Sequence, residues 1–68
     1  MKVALNGAEL ELRDGATVVD AVVAAAGDPE RRGIAVALAG EVVPRNRWGQ
    51  TPLRNGDRLE VLEARQGG

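Results

Sequence analysis

The 68 residues contain no cysteine, histidine, serine, tyrosine or phenylalanine, and each absence removes a class of chemistry. Without cysteine there is neither a disulfide framework nor a thiolate metal site. Without histidine the remaining metal ligands are scattered carboxylates, which excludes a zinc centre. The usual nucleophiles and the usual general base are missing together, leaving carboxylates, Lys2, Thr17 and Thr51, so the chain is expected not to be an enzyme in its own right and to bind no cofactor. Aromatics are reduced to Trp48, and 9 basic against 10 acidic residues give a net charge of -1 with no basic stripe. That composition supplies neither the phosphate-binding surface nor the stacking platform that nucleic acid requires. Apolar runs such as Ala21–Gly27 are far shorter than the ~20 residues that span a bilayer, and the amino end lacks the basic-then-apolar layout of a secretion signal. A cytoplasmic protein without membrane contact is expected.

What is present suits one small folded unit. A hydrophobic share of 44% is ordinary for a globular chain, and the charged 28% is spread along the sequence instead of gathered in a tail. A chain of this length buries only ~60% of its unfolded surface, which leaves little volume for a small-molecule pocket of the usual ~300–1,000 Å³. A protein-interaction role is what survives these exclusions.

Val3 and Leu5, then Leu10 and Leu12, alternate with polar residues on either side of Asn6-Gly7, the dipeptide that best accommodates the two positive φ angles of a type I′ turn. This reads as a β-hairpin. Thr17, with Asp20 three residues on, has the form of a capping box, and Val18, Ala21, Val22 and Ala25 follow helical spacing up to Gly27, so a helix is expected over residues 17–26. Ile34–Leu38 is a short uninterrupted apolar run, expected as a strand buried on both sides at the sheet centre. Val42-Val43 before Pro44 reads as a short edge strand, residues 45–53 show no period, and Arg58–Ala64 alternates again as a last strand. The sum is an α+β chain, a mixed sheet of four to five strands with one helix on one face. A helical crossover after the hairpin pairs the first strand in parallel with a later one, which is the β-grasp, or ubiquitin-like, arrangement.

The carboxyl half then becomes specific: Ala35-Val36-Ala37-Leu38, Gly40-Glu41-Val42-Val43-Pro44-Arg45, Trp48, Thr51-Pro52-Leu53, Gly56-Asp57-Arg58-Leu59-Glu60-Val61 and Gly67-Gly68. In this combination the sequence resembles ThiS, the sulfur-carrier family of thiamine biosynthesis, over essentially its whole length. It departs from the family at Ala39, where Asn is usual before the turn glycine, and at Arg65-Gln66, where a small or apolar residue usually precedes the glycines. The resemblance implies a single β-grasp domain over 1–68 with a flexible tail at 65–68, monomeric when free. It implies that a ThiF-type adenylyltransferase uses ATP to adenylate the carboxylate of Gly68, that a persulfide sulfur donor converts it to a thiocarboxylate, and that thiazole synthase receives the sulfur. Gly67 and Gln66 would thread into the partner. Glycine suits that passage for a reason independent of family, because a backbone without Cβ enters a narrow channel and takes φ values closed to other residues.

Three further residues are candidates for docking. Leu62 lies opposite in register to Leu59 and Val61, so a helix over that pair leaves it on an open face with Ala64 and Val43, either as a docking anchor or as an edge residue shielded by the tail. Arg65, and Arg45 beside Pro44, could meet acids of a partner; Arg45 could equally pair with Glu41. Trp48 is expected chiefly as a packing residue. Other readings of the chain are the small subunit of molybdopterin synthase, a ubiquitin-like protein modifier, and a passive β-grasp interaction module.

Overall fold

A computed structural model describes residues 1–64 and arranges five strands in the order β2-β1-β5-β3-β4, with one helix packed across one face. The elements are β1 (Lys2–Leu5), β2 (Ala8–Glu11), α1 (Val18–Ala26), β3 (Ile34–Leu38), β4 (Glu41–Val42), a 3₁₀ helix (Arg45–Gln50) and β5 (Arg58–Glu63). The expected tail, 65–68, lies outside the described residues.

Local chemistry accounts for most boundaries. Asn6 and Gly7 turn the β1–β2 hairpin with φ of 51° and 83°, the left-handed values that a type I′ turn requires. The N–H of Thr17 donates to the Asp20 carboxylate at 2.8 Å, half of the capping box that starts α1. Gly27, φ 85°, ends it with its N–H on the Val23 carbonyl at 2.9 Å. β1 then pairs in parallel with β5, with Leu5 opposite Leu59. The β-grasp topology is the observed one.

Three expectations are corrected, and a segment without a period acquires a structure. The sheet centre is β5 and not β3: β5 pairs with β1 on one side and with β3 on the other. Nor is β3 buried on both sides, because Ala35 is exposed and Ala37 only half-buried on the face the helix does not cover, while Ile34 and Val36 are buried beneath the helix. An apolar run suits two environments when its alternate residues are as small as alanine, and a strand carrying Arg58 and Glu60 can be central when those charges stand on the uncovered face. On α1 the buried stripe is Val18, Ala21 and Val22, continuing through half-buried Ala26 while Ala25 is exposed. The aperiodic segment after Pro44 is a 3₁₀ helix, and it buries Trp48 with its indole N–H on the Val43 carbonyl at 2.9 Å. Such a helix repeats every ~3 residues and puts one large side chain inward per turn, too few to register as a period.

The core is assembled between the helix, the 3₁₀ helix and the inner face of the sheet: Val3, Val18, Val22, Val36, Trp48, Leu53 and Leu59 are all buried. The helix start is tied to the segment after the 3₁₀ helix by Val18 N–H on the Thr51 carbonyl at 3.1 Å and Leu53 N–H on the Ala16 carbonyl at 2.9 Å. Asn6 does more than turn the hairpin. Its carboxamide accepts from the Val61 N–H at 2.8 Å and donates to the Val61 carbonyl at 3.1 Å, extending the β1–β5 pairing past the point where the backbone of β1 turns away.

The β3–β4 turn carries a local cost. Ala39 sits at φ 51° ahead of Gly40 at 85°, so a residue with a Cβ occupies the left-handed region at a cost of ~1–2 kcal/mol. Ala39→Asn, which tolerates that region, is expected to raise stability in urea unfolding by about 0.5–1 kcal/mol. A loss of stability instead would show that the turn changes type on substitution.

Candidate functional site

Strand β5 carries the chain toward Gly67-Gly68, and its outward side chains stand on the sheet face that the helix leaves open. Arg58, Glu60 and Leu62 point to the open face; Leu59 and Val61 point into the core. Leu62 is 68% exposed although it lies on the central strand, and the sheet places Ala35 directly opposite it. Small side chains at Ala35 and Ala37 leave a shallow groove of about 440 Å³ beside it, bordered by Asn6, Val42 and Glu60. Val42, 76% exposed, forms the far wall. The open-face companion of Leu62 on the edge strand is thus Val42 and not Val43, which is half-buried against the core cluster. Toward the hairpin the same face turns polar, with the Lys2 ammonium 3.7 Å from the Glu9 carboxylate.

An exposed leucine and valine on one side of a sheet, at the strand that leads to the terminal glycines, make an apolar anchor of the kind a protein partner covers. Three of the residues expected to meet that partner, Arg65, Gln66 and Gly67, lie with Gly68 outside the described residues. Arg45 is described, and its guanidinium is engaged within the chain: it donates to the carbonyls of Pro29 and Arg31 and lies 4.5 Å from the centroid of the Trp48 ring. It does not pair with Glu41. A planar cation with several donors satisfies two carbonyls and an aromatic face at once, which a sequence reading limited to charge partners misses.

At the end of β5 the Arg31 guanidinium donates to the Glu63 carboxylate at 2.6 Å. That hydrogen bond, with the attraction between the two charges, pushes the Arg31 pKa above its ordinary value. Nothing in the sequence signals this pair, whose members stand 32 positions apart. Among the described residues no group of three acidic side chains is placed to hold a metal ion, and no helix is long and apolar enough to cross a membrane.

Comparison with known proteins agrees with this architecture. The crystal structure of a thiamine biosynthesis protein (ThiS) from Geobacter metallireducens superposes with a TM-score of 0.76 at 26% identity, covering all of both chains. The solution structure of a thiamine biosynthesis protein from the same organism gives the same TM-score and identity, over all of this chain and 88% of that one. No curated protein matches the sequence significantly. The ThiS family model matches residues 2–68, through both terminal glycines. With that match and the β-grasp sheet in place, the chain belongs to the ThiS family.

Proposed function

We propose that this chain is a sulfur carrier of thiamine biosynthesis, with the Gly68 carboxylate as the atom group that is activated and loaded. The observation that carries the reading is the family match running through Gly67 and Gly68, on a chain that has no cysteine, histidine, serine or tyrosine to run the chemistry itself. The chemistry divides accordingly between carrier and partner. A carboxylate oxygen of Gly68 attacks the α-phosphorus of ATP on an adenylyltransferase, and pyrophosphate leaves. The terminal sulfur of a persulfide then attacks the acyl carbon and AMP leaves, and a second thiol frees the thiocarboxylate by taking up the donor sulfur in a disulfide. Adenylation is needed because a carboxylate oxygen is a poor leaving group near neutral pH, and the partner supplies the oriented nucleophile. The thiocarboxylate delivers its sulfur to thiazole synthase.

Incubation with ATP, the adenylyltransferase and a persulfide donor tests this by intact mass: the carrier exchanges one oxygen for sulfur. Attachment to lysines of other proteins would make the chain a modifier, and an unchanged mass would make it a passive module. Transfer of the sulfur to a pterin in place of the thiazole would favour the molybdopterin synthase reading.

The docking face has its own test. Leu62→Asp is expected to weaken association with the adenylyltransferase by about 2 kcal/mol or more, while changing folding stability by no more than ~0.5 kcal/mol, because the side chain is exposed in the free protein and becomes a desolvated anchor in the complex. Titration calorimetry and urea unfolding on the one variant separate the two quantities. Unchanged affinity would move the docking surface elsewhere.

A further inference from the structure

Strand β5 ends at Glu63, and the loop between α1 and β3 grips the chain at the next residue, Ala64. The Ala64 N–H donates to the Gly33 carbonyl at 2.7 Å, and one residue earlier Glu63 accepts from Arg31 at 2.6 Å. Gly33 has φ +81°, and a Cβ at that position would lie 3.0 Å from the Ala64 carbonyl oxygen, so the loop comes as close to the departing backbone as glycine alone allows. The loop is braced in turn: Arg45 holds the carbonyls of Pro29 and Arg31, the latter at 2.6 Å, and stacks on Trp48, which is 3% exposed. Contacts therefore run without a break from the core, through Trp48, Arg45 and loop 28–33, to the last hydrogen bond before the terminal glycines among the described residues.

The geometry points to Arg31 as a positioning residue for the end of β5: acting through Glu63, it fixes Ala64, the point from which the remaining residues must reach the partner's ATP. This rests on the carrier reading of Gly68. Four residues fully extended reach at most ~14 Å, so a misdirected start cannot be made up by length. With side chains 51% and 34% exposed, the Arg31–Glu63 pair adds little to global stability. Its effect is local. A strand end held in place before binding does not have to be ordered during it, and that saving appears as affinity for the partner.

Two readouts test the assignment, one of which needs no partner. In Arg31→Ala, hydrogen exchange at the Ala64 amide is expected to quicken several-fold while exchange at Val61 and the urea midpoint stay unchanged. In the adenylation assay the same variant should raise KM for the carrier three- to tenfold with kcat nearly unchanged. Arg31→Glu should raise it further, and the exchanged pair Arg31→Glu with Glu63→Arg should restore both KM and Ala64 protection. Unaltered exchange at Ala64, or a KM that stays at the wild-type value, overturns the positioning role; so does failure of the exchanged pair to restore either. If the wild-type protein is not adenylated while Ala64 exchange responds as described, the carrier reading falls and the bracket at Ala64 stands.

Discussion

Deletion of Gly68 is expected to abolish thiocarboxylate formation, with a loss of at least ~10²-fold in rate, and to leave the urea unfolding curve unchanged. The shortened chain still ends in a carboxylate, that of Gly67, but one residue of extended chain is worth ~3.3–3.6 Å, and the nucleophilic oxygen must come within ~3–3.5 Å of phosphorus. A displacement of that size costs more than the hundredfold that a 1 Å error can cause. Gly67→Val is expected to act in the same direction by another route, since a β-branched side chain narrows the φ range and widens the chain where it must enter the channel. Stability should not respond, because among the described residues a buried core from Val3 to Val61 is already assembled upstream of these glycines. Intact-mass analysis after incubation with ATP, partner and persulfide donor gives the first quantity and equilibrium unfolding the second. Persistent loading would take the acyl role away from Gly68, and a lowered midpoint would make the terminal residues structural.

The largest stability effect is expected at Leu59. It is fully buried on the central strand, between Leu5 of the parallel neighbour and Leu38 of the antiparallel one. Leu59→Ala removes three heavy atoms from a site hemmed in on both sides, where collapse into the gap is limited, and an expected cost of about 2–5 kcal/mol follows. At roughly 0.05–0.15 kcal/mol per residue the whole 68-residue chain commands only about 3–10 kcal/mol, so this one change threatens the fold itself. Val36→Ala, buried to the same degree on β3 but losing fewer atoms, should cost less. Urea unfolding of the two variants, with the slope against denaturant held as a check on two-state behaviour, measures both. A Leu59→Ala cost below that of Val36→Ala would contradict the placement of β5 at the centre.

Much of this architecture can be read from short-range patterns, because those patterns act within a few residues. Asn6-Gly7 dictates its own turn through φ; Thr17 and Asp20 cap the helix through a bond that spans three positions; Gly27 ends it. The exposure of Leu62 is equally legible, since period-2 alternation puts it opposite Leu59 and Val61 whichever strands lie alongside. The family's motif set likewise extends through Gly67 and Gly68. Tertiary structure decided the rest. Only packing tells an apolar strand at the centre from one whose alanines face outward, and so puts β5 and not β3 at the middle of the sheet. Only folding brings the Asn6 carboxamide to Val61, 55 residues away, sets Arg45 between Trp48 and loop 28–33, and closes Arg31 on Glu63. Those contacts carry no local periodicity; they exist because the buried face of the sheet fixes where distant backbones meet, and the polar side chains then bond to whatever donors and acceptors that meeting leaves within reach.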